Sequence, residues 1–240
     1  MKPGVATILA ALSLAAPVSA QDGATGAPQS GRISGTITLS PTIASRKMRF
    51  RLYADLGPGA VPRREAADLG ELTNVVVYLE AGAGLGATGR APAHPLVITQ
   101  RDETFLPHVL PVVRGSTVSF RNDDPYYHNV FSLAKAKTFD LGRFPQGQNK
   151  TVRFDRPGIV QVFCHIHADM SAVVLVLDHP HFAVPDAGGR YELAGIPPGD
   201  YRVVAWHERA RSVVRSVRVA AGETTALDLS VPIPDAVASR

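Results

Sequence analysis

The sequence reads as all-β, a chain of two β-sandwiches. Three observations carry this. The 240 residues include 21 Gly and 19 Pro, a supply of turn formers that favours many short strands over a helical bundle. The segments between them alternate apolar and polar residues at a period of two. Apolar residues make up 45% and charged residues 19%, an ordinary globular balance that excludes wholesale disorder.

The elements follow in order. Ile33 to Leu39 (ISGTITL) alternates as a strand. Residues 40–71 show no clean period and read as a long excursion with a short helix near 64–67. Asn74 to Leu79 (NVVVYL) is strongly β-branched and reads as a strand. Residues 81–95 read as a loop of small residues. A dense β region follows, with strands expected at Leu96–Gln100, Val109–Val113, Thr117–Asn122, His128–Ser132, Lys150–Asp155, Gly158–Cys164 and Ser171–Asp178. Arg114-Gly115, Asn122-Asp123-Asp124-Pro125, Pro145-Gln146-Gly147 and Arg156-Pro157-Gly158 separate them as turns. Strands this short and this close suggest a Greek-key sandwich or barrel. The last segment repeats the pattern at Tyr191–Leu193, Gly199–His207, Ser212–Ala220 and Thr224–Val231.

The first 20 residues read as a secretory signal peptide. Lys2 is the positive start, Val5 to Ala16 is an apolar stretch too short to span a bilayer, and Val18-Ser19-Ala20 is a small-residue cleavage site. Residues 21–30 read as a flexible lead-in. Loss of Lys2 takes the formal charge from +4 to +3, too little to argue for a nucleic-acid partner. The longest apolar run after residue 20, Ala172 to Leu177, is strand-sized, so no transmembrane segment is expected. The expected location is the periplasm or the cell exterior.

A single cysteine, Cys164, excludes an intrachain disulfide framework, a four-cysteine zinc site and a protein-ligated iron–sulfur cluster. It opens a Cys-x2-His-x2-Met run, Cys164, His167 and Met170, between two expected strands, and His128 lies 36 residues upstream. Singly, each has a plain structural reading: a lone Cys at a strand end is usually a buried small hydrophobe, and a Met before a strand is usually core. Together they are harder to explain that way, because a free thiol in an oxidising compartment is a liability that metal ligation removes. A thiolate, two imidazoles and a thioether are a soft mixed donor set that suits one copper ion in a trigonal site with a weak axial Met.

Residues 98–178 resemble a cupredoxin, the plastocyanin-type blue copper domain. The resemblance lies in FLPHVLPVVRGSTVSFRNDDPYYHNVFS and FDRPGIVQVFCHIHADMSAVVLVLD. These hold a V-x-F-x-N strand, an HN-V ligand strand, a Pro-Gly turn and the C-x-x-H run with a downstream Met. The short His-to-Met spacing is similar to amicyanin, and the chain resembles bacterial methylamine-utilisation or plastocyanin-like proteins. The resemblance implies His128, Cys164 and His167 as equatorial ligands of a mononuclear Cu(I)/Cu(II) centre and Met170 as the axial ligand. It implies that the backbone N–H of Asn129 donates to the Cys sulfur while its side chain pins the ligand loop. His165 is expected to face away from the metal. His108, within the FLPHVLPV segment, is expected to be structural.

The stretch GGRYELAGIPPGDYRVVAWH, followed by VRVAAGETTALDLSVP, resembles the carboxypeptidase regulatory-like, transthyretin-type β-sandwich. That family's opening strands are matched far upstream by GRISGTITL and NVVVYLE. The expected organisation is a split sandwich, 31–82 and 180–234, with the cupredoxin domain, 96–178, set inside it; the competing layout gives residues 73–178 to the cupredoxin and makes 180–234 a separate small domain. Domains of this second shape sometimes bind carbohydrate, but the residues here give no independent support.

The expected function is a periplasmic electron carrier that is not itself an enzyme, with a c-type cytochrome or a dehydrogenase as redox partner. The alternative is a non-redox copper-binding, storage or sensing module with the same ligands. A copper oxidase or nitrite reductase needs further His-x-His pairs and a His directly before the Cys, where this chain has Phe163.

Overall fold

The computed structural model describes residues 29–39, 70–80, 85 and 96–232. The expected signal peptide, most of the lead-in, the helix near 64–67 and nearly all of the 81–95 loop lie outside the described residues. Among the described residues the regular elements are strands and one 3-10 turn, Glu71–Asn74. No helix among them is long and apolar enough to cross a membrane.

Strands β1 (Gly31–Leu39) and β2 (Val76–Leu79) come first. Nine strands follow: β3 (Val97–Arg101), β4 (Thr104–Leu106), β5 (Val109–Val113), β6 (Ser116–Asn122), β7 (His128–Ala134), β8 (Lys137–Phe144), β9 (Asn149–Phe154), β10 (Gly158–Phe163) and β11 (Ser171–Leu177). They form two facing sheets, ordered β4-β3-β6-β9 and β5-β11-β10-β7-β8. The β3–β6 and β5–β11 pairs are parallel and the remaining pairs antiparallel. Alternation decides what faces inward. In β6, Val118 and Phe120 enter the core while Thr117 and Arg121 do not. Ile98, Phe105, Val130, Phe144, Phe154, Val160 and Val162 complete a core that also holds Cys164 and Met170.

The remaining strands are β12 (Phe182–Ala183), β13 (Arg190–Ile196), β14 (Gly199–Trp206), β15 (Val213–Val219), β16 (Thr224–Ala226) and β17 (Leu229–Val231). β1 joins them by pairing β13, β16 and β17, and β2 by pairing β12 and β14. The strands before β3 and those after β11 thus share the same sheets, while β3 to β11, between them in sequence, form sheets of their own. The core of this second sandwich gathers Ile33, Ile37, Val77, Leu79, Tyr191, Leu193, Ile196 and Val203.

A third cluster joins the two sandwiches: Val76, Val109, Val173, Leu175, Leu177, Phe182, Val204 and Trp206. It explains the runs of unbroken apolar residues. In β11, Ala172, Val174 and Val176 face the first core, whereas Val173, Leu175 and Leu177 face the junction. A strand covered on both faces has no polar side, so period-two alternation vanishes there.

Several elements differ from expectation. The short strands β4 and β12 have no expected counterpart. β8 occupies a stretch with no strand signal, because it is a polar edge strand whose residues are mostly half-buried or exposed. Asn74 belongs to the 3-10 turn and not to β2. The single strand expected at Thr224–Val231 divides into β16 and β17. Between them the Leu227 N–H donates to the Ser34 carbonyl, and Asp228 Oδ1 accepts from the Thr36 N–H at 2.7 Å. This crossing runs directly against Gly35, where a Cβ would meet the Leu227 carbonyl oxygen at 1.9 Å.

Gly35→Ala is therefore expected to destabilise the protein by about 1–3 kcal/mol, as overpacking against backbone does, seen as a fall in Tm of roughly 2–4 °C per kcal/mol. The β11–β12 connection supplies a pH effect. His179 and His181 are both buried. Burial holds each pKa below the ordinary value, and for His181 the neighbouring His179 adds to it. Above pH ~6.5 both rings are neutral in the folded and the unfolded chain. As pH falls below that, the unfolded chain takes up protons that the folded chain refuses, and stability is lost. Wild-type Tm should drop more between pH 7 and pH 5 than that of a His179→Asn, His181→Phe variant.

Candidate metal centre

The site lies where the end of β10 and the start of β7 come together at one end of the first sandwich. β10 and β7 are neighbours in the five-stranded sheet, with Phe163 opposite Phe131. Cys164 leaves β10, and the segment from Cys164 to Met170 closes on itself. The Cys164 N–H donates to the Met170 carbonyl at 3.2 Å, and the Met170 N–H donates to the His167 carbonyl at 3.1 Å. His128 enters from the start of β7.

Three donor atoms converge. His128 Nδ1 is 3.2 Å from His167 Nδ1 and 3.9 Å from Cys164 Sγ, and the three residues form a cluster whose donors all lie within 4.8 Å of one another. Bonds of about 2.0–2.1 Å to nitrogen and 2.3 Å to sulfur reach across such gaps, so the donor set fits one small, soft-accepting cation. Met170, 1% exposed, lies in the same core cluster as Cys164. His128 is fully buried, while the His167 side chain keeps 23% exposure with its Nε2 3.8 Å from Glu103 Oε1.

The electrostatics favour a thiolate. Burial pushes the Cys164 thiol up. His128 and the backbone N–H groups of Asn129, His167 and Ile166 outweigh this and bring it down to about 7. The Ile166 N–H stands 3.4 Å from Sγ. Burial likewise pulls His128 down, but its contacts with Cys164 and Asp124 raise it overall.

Asp124, hidden behind its turn signal, stands directly behind the cluster. Its Oδ2 lies 2.8 Å from His128 Nε2, so the imidazole is held from behind with Nδ1 turned toward Cys164 and His167. A carboxylate in this position fixes the tautomer and raises ligand basicity. Asp124 is only 5% exposed, and two backbone donors help offset its burial. The Asp102 N–H reaches Oδ1 at 2.7 Å and the Glu103 N–H reaches Oδ2 at 3.0 Å. These two residues form the β3–β4 turn with φ of 51° and 53°, a left-handed pair in the manner of a type I′ hairpin. Burial pushes the Asp124 carboxyl up, yet Glu103, His128 and Asp102 bring it below its ordinary value. Asn122 ties the segment down. Its Oδ1 accepts from the Asp124 N–H at 2.9 Å, and its Nδ2 donates to the carbonyls of Tyr126 at 2.7 Å and Phe144 at 3.0 Å. The only sequence signal for Asp124 is a carboxylate four residues before His128.

Asn129 differs in part from expectation. Its backbone N–H bonds Cys164, but its Nδ2 donates to Asp140 Oδ1 on β8 at 2.7 Å and not to the ligand loop. The loop is occupied by its own backbone bonds, and β8 carries no sequence signal that would bring Asp140 here. His165 faces away from the cluster, stacked on Phe131 with centroids 3.7 Å apart and its Nε2 3.9 Å from Asp140. His108 bonds the Ser171 carbonyl and Glu208.

Fold and site define a protein of two adjoining β-sandwiches, the first carrying a His–Cys–His cluster at one end. Residues 170–232 match the family model described as carboxypeptidase regulatory-like domain. The match takes in β11, which here pairs β5 and β10, and omits β1 and β2. Among solved structures, the chain is similar to a purple cupredoxin from Nitrosopumilus maritimus (22% identity, 34% of this chain and 98% of that one, TM-score 0.31). It is similar to a point mutant of amicyanin in the reduced Cu(I) form (20%, 42% and 98%, TM-score 0.33). It is also similar to a copper-containing nitrite reductase from Thermus scotoductus (22%, 42% and 25%, TM-score 0.33). No curated protein matches the chain.

Asp124→Ala should destabilise the metal-free protein by roughly 1–3 kcal/mol in chemical denaturation, because it strips the acceptor from buried His128 and from two backbone donors. Unchanged stability would show that these groups find other partners.

Proposed function

We propose that the chain is a type 1 copper protein that carries single electrons, with His128, Cys164, His167 and Met170 as ligands of one copper ion. The observation that carries this reading is the convergence of one thiol sulfur and two imidazole Nδ1 atoms beside a buried methionine. Bound copper supplies reversible one-electron chemistry between Cu(II) and Cu(I). The residues do the rest. Cys164, with a pKa near 7, offers a thiolate at neutral pH. Asp124 holds His128 in one orientation. The strands on either side leave the donors little freedom to rearrange. His167 is the donor side chain with access to solvent, which makes it the natural contact for a redox partner such as a c-type cytochrome or a dehydrogenase.

In the same proposal, residues 96–178 form the copper domain, and 31–82 with 180–234 form one split sandwich around it. The pairing of β1 and β2 with strands beyond residue 180 supports that division. The sequence of residues 1–20 supports export to the periplasm. We further propose that the chain has no catalytic activity of its own.

Copper-loaded protein should show an intense visible thiolate-to-Cu(II) band and a narrow EPR hyperfine splitting, and Cys164→Ser should abolish both. A fully loaded but colourless protein would overturn the reading. Cyclic voltammetry separates a carrier from a store: a reversible one-electron wave is expected. Rapid Cu(I) exchange with no such wave would identify a storage or sensing module.

A further inference from the structure

We propose that the second sandwich positions the methionine side of the metal loop, through Glu208 and His108 as positioning residues. The inference rests on the copper reading for what Met170 does, and on geometry alone for the bridge. His108 stands between β4 and β5. Its Nδ1 is 3.0 Å from the carbonyl oxygen of Ser171, the residue directly after Met170. Its Nε2 is 2.8 Å from Glu208 Oε1, which belongs to the second sandwich, just beyond β14. A carbonyl and a carboxylate both accept, so the ring donates in both directions as the imidazolium, with a hydrogen on each nitrogen, and is held from opposite sides.

Both ends of this bridge are anchored. At the metal end, the Val173 N–H donates to the His108 carbonyl at 2.8 Å. His108 thus grips the 171–173 segment by side chain and backbone together. At the other end, Glu208 sits in a turn laced to the 3-10 turn before β2. His207 Nε2 is 3.2 Å from Glu71 Oε2, Arg209 pairs with Glu71, and the Arg209 N–H donates to His207 Nδ1 at 3.2 Å. Asn74 Nδ2 also donates to Glu71 at 3.2 Å. Glu208 is therefore mounted on a base with little play.

The bridge also borders a cavity. A cavity of about 450 Å³ opens between the sandwiches, lined by Glu71, Thr104, Phe163 and Asp169 among others, with His108 and Glu208 on its wall. Besides its packing in the first core and the Phe163–Ser171 pairing next to it, Met170 is clamped by its own pair of loop bonds on one side and the His108–Ser171 bond on the other. Releasing the bridge frees the downstream half of that clamp.

The test compares wild type, Glu208→Ala, Glu208→Gln and His108→Leu in the full chain. Amide hydrogen exchange of the metal-free protein reads the loop directly. Glu208→Ala and His108→Leu should speed exchange across 166–172 by roughly tenfold or more, the effect of losing a charge-assisted hydrogen bond on a local opening. Glu208→Gln keeps a hydrogen-bonding partner for Nε2, since its amide can donate to a neutral ring whose Nδ1–H still reaches Ser171, and it should stay close to wild type. In the Cu(I) protein, the Met170 ε-methyl NMR resonance should move in the first two variants and not in Glu208→Gln. Unchanged exchange and an unmoved methyl resonance in folded Glu208→Ala would overturn the proposal, and that variant decides alone if His108→Leu does not fold. A wild type that binds no copper would overturn the functional reading instead, and hydrogen exchange would still decide the bridge.

Discussion

β11 is the constraint on which both halves of the molecule depend. Its odd and even residues are buried in different cores, Ala172, Val174 and Val176 in one and Val173, Leu175 and Leu177 in the other. Such a strand cannot take its register from hydrophobicity, because both faces are apolar and a one-residue slip would bury as much. Its register comes from the ladders. Six residue pairs align it with β10, from Gly158↔Val176 to Phe163↔Ser171, and five align it with β5. A slip of one residue would carry Met170 along the strand by about 3.3 Å. The ladders that hold this sheet together are therefore also what set the position of Met170 relative to the His128–Cys164–His167 cluster.

The other half of the site is fixed by polar contacts. His128 begins its strand after a run of turn residues, a place where the chain would ordinarily be loose. Asn122, Asp124 and the β3–β4 turn remove that looseness, each satisfying groups that burial would otherwise leave without partners. The two left-handed residues at 102 and 103 cost conformational energy. In exchange, both of their N–H groups point at one carboxylate. The imidazole is thus held by a carboxylate that is itself held, and its free nitrogen has one direction left.

The four proposed donors are legible in the sequence because their chemistry is carried by residue type and short spacing. Strands with one wet face, such as β6, are legible because alternation survives in them. What is not legible depends on contacts between distant segments. Asp124 reads as a turn residue until β3 and β4 come to rest against it. β8 reads as loop because an edge strand needs few apolar residues. His108 and Glu208 are 100 positions apart, and neither has a local pattern that names the other. The side-chain partner of Asn129 is hidden for the same reason as β8, since Asp140 lies on that strand.

The acidity of Cys164 shows how far the site is a property of backbone and not only of side chains. Burial alone would leave the thiol protonated at neutral pH. Beyond His128, the groups that lower it are peptide N–H donors at Asn129, Ile166 and His167. No substitution can remove them short of proline. Their aim depends on the Phe163↔Phe131 pairing and on the bond from Cys164 N–H to the Met170 carbonyl. A chain that kept His128, Cys164, His167 and Met170 but altered the two-residue spacings between the last three would keep every donor side chain and still lose those N–H directions. The spacing is thus as much a part of the chemistry as the residues it separates, which is why the short run from Cys164 to Met170 says more about this protein than its overall composition.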